Sequence, residues 1–165
     1  MASFSTVIRT NSGAMIDILH PDPALICIED IAHSLSHICR YNGHVDRHYS
    51  VAQHSVIMAI MPEIPGELKL TALLHDAAEA YLGDVVKPLK HLLPEYLKIE
   101  ENMERVIAKA FGLVYPFPKE IHGADWLMLQ NELDLCFDGH GGLSWTPEQS
   151  KKIFLDTYVN LVNQR

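Results

Sequence analysis

The 165-residue sequence has few cysteines and no long apolar run, and both shortages exclude classes of protein. Its three cysteines, Cys27, Cys39 and Cys136, form no CxxC pair, which predicts reduced, buried thiols and no disulfide. No window approaches the roughly 18 apolar residues of a membrane span, and residues 1–15 lack the pattern of a signal peptide. The sequence therefore predicts a soluble, cytoplasmic protein with no membrane partner.

Positive charge is also scarce, because 13 Lys and Arg stand against 21 Asp and Glu, for a formal charge of −8. A net field of this sign repels a polyanion, and we find no basic stripe that would hold a nucleic-acid polymer. Local cations such as Arg40, Arg47, Lys87 and Lys90 are enough for the phosphate of a small nucleotide. Nucleic-acid-binding proteins are thus disfavoured, whereas nucleotide-binding ones are not.

Histidine is the residue in excess, at ten in the chain, and it points to metal binding or proton chemistry. The hydrophobic fraction of 48% is ordinary, and no fixed-period repeat is present. The length suits one globular domain, which we expect to span residues 1–165.

Hydrophobic periodicity predicts an all-α bundle. Apolar runs at 16–19 and 24–28, separated by prolines, predict a loop or a small N-terminal hairpin. Capping boxes are expected at Ser50 with Gln53 and at Thr146 with Gln149. The segments after the third and fifth helices, 84–90 and 138–142, are expected to be loops. The six predicted helices cover about 29–43, 50–61, 66–82, 94–112, 118–137 and 146–161.

The third predicted helix carries polar side chains where aliphatic ones are expected. Glu79 follows His75 by four residues and Asp76 by three, so on a continuous helix the three project to one sector. His54 and Asp125 are likewise polar residues on otherwise apolar helices. Two imidazoles and two carboxylates would form a mixed nitrogen and oxygen site for Mn²⁺, Fe²⁺, Co²⁺, Ni²⁺ or Zn²⁺. Such a metal acidifies bound water and polarises a phosphate, and Glu79 would orient or deprotonate the water.

The order His54, His75-Asp76, Asp125 resembles the H…HD…D signature of the HD-domain metal phosphohydrolases, an all-α family. Within it, the segment from His75 to Lys90 is most similar to small 5′-deoxynucleotidases and to bacteriophage dATP triphosphohydrolases, and the likeness covers about 40–135.

The resemblance implies roles for individual residues. His54, His75, Asp76 and Asp125 would bind a divalent transition metal, with Mg²⁺ as a second ion. Glu79 would position the water, Asp84 would be a second catalytic or sugar-side carboxylate, and Lys90 and Arg40 would hold phosphate.

Other positions leave alternatives open. Arg40 and Tyr41 are candidate substrate-binding residues; the family often has Arg-Trp where this chain has Arg40-Tyr41, so the base and sugar contacts stay open. Asp134 is a rival to Asp125 as the last ligand. His37 and His122 are candidate substrate-pocket residues. For other residues a structural role is expected. Met58, Tyr81 and Trp126 are predicted to lie in the core, and Glu100, Glu101 and Glu104 are predicted to form a solvated helix face.

The resemblance implies hydrolysis of a deoxynucleotide, with dATP favoured and with deoxynucleoside and tripolyphosphate as products. The alternatives are a 5′-deoxynucleotidase acting on monophosphates and, in another class, a nucleotide-binding HD module without turnover. By analogy the chain would form a homo-oligomer, a dimer or a hexamer, in the cytoplasm of its host if a phage encodes it.

Overall fold

The computed structural model describes residues 5–137 and 144–165, and it begins with the expected hairpin. Strands β1 (Val7–Arg9) and β2 (Met15–Asp17) pair antiparallel, with Ile8 opposite Ile16. The apolar run at 24–28 forms no strand in this structure. Pro23–Leu25 is a 3₁₀ turn, because the Asp22 carboxylate accepts the amide proton of Ala24 and caps it.

The fold is all-α apart from this hairpin, as predicted. Its helices are α1 (Ile28–His37), α2 (Val51–Ile60), α3 (Lys69–Leu73), α4 (Glu79–Leu82), α5 (Lys87–Lys90), α6 (Pro94–Phe111), α7 (Lys119–Phe137) and α8 (Pro147–Asn163). The first helix is shorter than expected, since the chain leaves the helical path at Ile38 and Cys39 bridges Ser50. Lys87–Lys90, expected as loop, forms the short α5.

Helix α2 lies at the centre of the bundle. It packs against α1, α3, α7 and α8, and most of its side chains are buried, as expected of a helix that is apolar on nearly every side. Ser50 caps it by accepting the amide proton of Gln53 at 3.1 Å. The Gln53 side chain accepts from the amide of Trp145, so it ties α2 to the start of α8. The central position of α2 keeps His54 out of water.

The predicted helix over 66–82 is wrong as a single element, because it is interrupted between α3 and α4. From Leu74 to Glu79 the amides of Ala77 and Glu79 bond to carbonyls three residues back, which tightens the chain into 3₁₀ turns. His75 and Asp76 therefore lie on a turn, and helical spacing does not explain their relation to Glu79. Gly83, with φ of +81°, ends α4.

The C-terminal half follows the prediction closely. Helix α6 ends at Gly112, which has the left-handed φ of +62°. The capping box at Thr146 is confirmed, since both of its bonds with Gln149 are present at 2.9 and 3.2 Å. The predicted loop at 138–142, with His140, lies outside the described residues. Among those described, no helix is long and apolar enough to cross a membrane.

Candidate metal centre

Four side chains predicted as metal ligands converge between α2, α7 and the turn that joins α3 to α4. His54 Nε2 lies 3.4 Å from His75 Nε2, 3.6 Å from Asp76 Oδ2 and 3.4 Å from Asp125 Oδ1. His75 Nε2 lies 3.1 Å from Asp76 Oδ2 and 4.0 Å from Asp125 Oδ1. The histidines are buried, whereas the side chains of Asp76 and Asp125 are 21% and 24% exposed. The cluster therefore meets solvent on its carboxylate side.

Each imidazole is held through its other nitrogen. His54 Nδ1 donates to Glu132 Oε1 at 2.6 Å, and His75 Nδ1 donates to the carbonyl oxygen of Ala72 at 2.7 Å. A carbonyl or an ionised carboxylate only accepts, so the proton of each neutral ring belongs on Nδ1. Both Nε2 lone pairs then face the two carboxylates, which is the tautomer that metal ligation requires.

The donor set and its spacing suit a divalent cation. With metal bonds of about 2.0–2.2 Å, neighbouring donors lie ~3.0–3.4 Å apart and opposite ones ~4.2 Å, and the five separations given above, each of which involves a histidine, fall between these limits. Lone pairs and carboxylates at such distances repel unless a cation or protons lie between them. Among the described residues, the group of three or more potential ligands close enough to share an ion is His54, His75 and Asp76; Asp125 lies beside it.

The electrostatics of the cluster show the same need for positive charge. Burial opposes the charged form of His75, but the adjacent Asp76 carboxylate outweighs it and raises the pKa of His75 to about 9. The pKa of Asp76 is lowered although burial opposes this, because His75, His54 and Arg40 surround it. Without a metal, a proton on His75 provides part of the balance that an ion would provide.

Sequence reasoning missed Glu132, a buried carboxylate that contacts the ligand candidate His54. It lies on α7, is 2% exposed, and accepts hydrogen bonds from His54, Tyr49, Tyr41 and Arg40. Despite its burial these donors lower its pKa to about 2. A signal was available in the sequence, since Glu132 follows Asp125 by seven residues, about two helical turns, and so shares its face.

Arg40 and Tyr41, expected to contact substrate, are engaged with this carboxylate. The guanidinium of Arg40 is buried; its Nη2 lies 3.1 Å from Glu132 Oε2 and its Nη1 lies 3.6 Å from Asp76 Oδ2. Tyr41 donates its hydroxyl to Glu132 at 2.6 Å. Arg40 thus lies beside the cluster, and some of its guanidinium N–H groups already contact Glu132 and Asp76. Its contact with a phosphate stays a prediction.

Glu79 lies at the start of α4, with Asp76, Asp84, Lys90 and Arg40 as its charged neighbours. It is 6% exposed, its Oε1 lies 3.7 Å from Lys90 Nζ, and its buried Oε2 has no hydrogen-bond partner among the described residues. Burial, together with Asp76 and Asp84, raises its pKa well above the ordinary value. Asp84 is half-buried, and burial and Asp76 raise its pKa against the pull of Arg40 and Lys90.

Lys90, predicted to reach phosphate, bonds to Glu100 Oε1 at 2.6 Å. Glu100 is 12% exposed at its side chain and Glu104 is half-buried, so the solvated helix face is wrong for these two residues and holds for Glu101. Lys87, in turn, donates to the outer oxygen of Asp125 at 3.1 Å. The cations near the cluster are therefore paired with acids.

Three further candidate site residues are exposed. His37 is exposed, bonds to the carbonyl of His33 and stacks on that ring at 4.4 Å. His122 is exposed on α7, one turn before Asp125, and its role and that of His37 stay predictions. Asp134, the rival to Asp125 as the last ligand, is exposed as well.

Two interpretations of packing need correction. Met58 and Tyr81 are core residues as expected, but Trp126 is 60% exposed because α7 turns that face outward. The cysteines are free, as predicted, yet they are half-buried and not fully enclosed.

Comparison with known proteins gives relatives but no family. No family model matches the chain. "Uncharacterized protein YfdR" of Escherichia coli (strain K12) is 46% identical over 107 residues, 65% of this chain and 59% of that protein. "Uncharacterized protein RCAP_rcc00048" of Rhodobacter capsulatus is 38% identical over 124 residues, 70% of this chain and 63% of that protein. The matches thus span about three fifths of each relative's length, and neither name states an activity.

Proposed function

We propose that the protein is a divalent-metal-dependent phosphohydrolase of the HD-domain class that acts on deoxynucleotides. The observation that carries the proposal is the convergence of His54, His75 and Asp76, with Asp125 Oδ1 at 3.4 Å from His54 Nε2 and both imidazoles anchored through Nδ1. Three separate segments of the chain contribute these donors, and such a concentration of buried acceptors costs stability unless a ligand compensates it. The all-α fold is the one that the sequence resemblance implies.

A bound divalent ion would acidify a water molecule and polarise a phosphate oxygen. The chain's own residues supply the rest. Glu79 has one buried oxygen, Oε2, with no hydrogen-bond partner among the described residues, and this oxygen would accept the proton of the attacking water as a general base. Asp84, half-buried beside it, would contact the sugar or assist the proton transfer.

The substrate within this class has two candidates. Resemblance favours a triphosphate such as dATP, cleaved to deoxynucleoside and tripolyphosphate. The pairing of the cations favours the second candidate, a 5′-deoxynucleotidase, because Arg40, Lys87 and Lys90 each already face a carboxylate. A monophosphate needs fewer released cations than a triphosphate does.

The test is product release from a panel of deoxynucleoside mono- and triphosphates with Mn²⁺, Co²⁺, Zn²⁺ or Mg²⁺. Phosphate from dAMP with intact dATP supports the nucleotidase, and tripolyphosphate from dATP supports the triphosphohydrolase. No turnover with any metal would refute the enzyme and leave the non-catalytic nucleotide-binding module.

The ligand assignment has its own test with a matched control on the same helix. Asp125→Asn should lose bound metal, measured by elemental analysis after dialysis, while Asp134→Asn should retain it. The reverse result would transfer the ligand role to Asp134.

A further inference from the structure

Glu132 uses both carboxylate oxygens inside the protein. Its Oε1 accepts from His54 Nδ1 at 2.6 Å and from the Tyr49 hydroxyl at 2.7 Å. Its Oε2 accepts from the Tyr41 hydroxyl at 2.6 Å and from Arg40 Nε at 3.2 Å. These donors come from α2 and from the segment before it, so one side chain of α7 connects both of these segments beside the cluster.

We propose that Glu132 is a positioning residue for the metal ligand His54. It holds the proton on Nδ1 and the ring in one orientation, so that the Nε2 lone pair faces His75, Asp76 and Asp125. This inference rests on the metal site of the proposed function. A carboxylate behind a ligating imidazole fixes its tautomer and increases its basicity, and removing such a partner weakens metal binding by ~10- to 100-fold.

The geometry distinguishes this role from that of a simple buried ion pair. Arg40 alone would balance the charge of Glu132, yet the bond to His54 is shorter, 2.6 Å against 3.1 Å for the closest guanidinium nitrogen. Asp125 precedes Glu132 by about two turns on α7. One helix therefore carries both a ligand candidate and the support of a second ligand candidate, and a shift of α7 would disturb both together.

The experiment is a calorimetric titration of the full chain with Zn²⁺ and with Mn²⁺. Glu132→Gln keeps the size of the side chain but removes its charge and one acceptor oxygen, so the dissociation constant should rise ~10- to 100-fold. Tyr49→Phe is the matched control, because it removes another bond to the same Oε1 and leaves the His54 contact; its affinity should stay within about twofold of the wild type. Equal affinities for Glu132→Gln and wild type would overturn the inference.

A second measurement needs no variant and therefore does not depend on the variant's folding. In Zn²⁺-loaded wild-type protein, ¹⁵N spectra of the histidine rings should show the His54 proton on Nδ1 and none on Nε2. A proton on Nε2 with Nδ1 bare would overturn the inference.

Neither measurement requires turnover, so the two proposals fail separately. Weakened binding by Glu132→Gln in a protein that hydrolyses no nucleotide would support the positioning role and refute the proposed reaction. Unchanged affinity in an active Glu132→Gln would refute the positioning role alone.

Discussion

Glu132 on α7 and Glu79 on α4 are both almost fully buried near the same cluster, at 2% and 6% exposure, but their neighbours differ in charge. Among the described residues, Glu132 accepts hydrogen bonds from four side chains, and its pKa is lowered to about 2. Glu79 is buried near the carboxylates of Asp76 and Asp84, and its pKa is raised although Lys90, at 3.7 Å, and Arg40 act in the opposite direction.

The difference separates a carboxylate that holds structure from one that is available for chemistry. A saturated buried carboxylate has no remaining lone pair for a substrate or a water. A buried carboxylate with an oxygen that lacks a hydrogen-bond partner destabilises the fold. Such groups concentrate at functional sites, where they remain able to react. Under the proposed function, Glu132 would support the cluster and Glu79 would take part in proton transfer.

The largest expected effect comes from Glu79→Gln. If Glu79 is the general base, hydrolysis should fall by ~10²–10⁴-fold, because the amide cannot accept the proton. The free energy of unfolding should stay the same or rise, since glutamine, unlike glutamate, cannot acquire a charge beside the carboxylates of Asp76 and Asp84. Turnover and urea unfolding of the same preparation check both parts. Glu95→Gln, at an exposed position of α6, is the control and should change neither; full activity in Glu79→Gln would contradict the comparison.

Glu132→Ala should behave in the opposite way and destabilise the metal-free protein. It leaves the Arg40 charge and two tyrosine hydroxyls buried without their acceptor, and breaking such a network by removing one partner costs ~3–5 kcal/mol. Urea unfolding in the presence of a chelator measures the loss. Asp134→Asn, exposed on the same helix, should change stability by less than about 0.5 kcal/mol. A Glu132→Ala protein as stable as the wild type would show that the network is not structural.

The half-buried carboxyl group of Glu104 predicts a pH dependence of the free energy of unfolding. Burial and the neighbouring Glu100 raise the pKa of Glu104 from 4.5 to about 7. The stability contributed by neutral Glu104 is complete below pH 4.5 and is lost as pH rises through about 7. Glu104→Gln should therefore gain about 1–2 kcal/mol relative to wild type at pH 8, after allowance for solvent screening, and much less at pH 5. Unfolding curves at the two pH values check this; a larger gain at pH 5 would contradict it.

Two tyrosines give the smallest and most closely matched test. Tyr49 donates to Glu132, whereas the buried hydroxyl of Tyr81 has no partner in the described part of the chain. Tyr49→Phe should cost ~1.5 kcal/mol, the value of a hydrogen bond to a charged acceptor, and Tyr81→Phe should be neutral or slightly stabilising. Thermal unfolding of the two variants side by side measures the difference, and equal losses would remove the distinction.

Local patterns were sufficient for much of the fold. The caps at Ser50 and Thr146, the stop at Gly112 and the apolar spacing of α6 act over a few residues, so the sequence alone predicts these helix ends. The interruption between α3 and α4 was not predictable in this way, because the residues around His75 have ordinary helical patterning and only their surroundings favour the 3₁₀ turns.

For the site, the sequence by itself determined which side chains are available. These are two histidines and two aspartates, polar residues in otherwise apolar segments, together with Glu79. The tertiary structure decided how they are used. It brought Glu132 from α7 next to His54 and paired Lys90 with Glu100, and it left an oxygen of Glu79 without a hydrogen-bond partner within residues 5–137 and 144–165. The physical reason is distance along the chain: Glu132 and His54 are 78 residues apart, and no local pattern records a contact that only the packing of α7 on α2 creates.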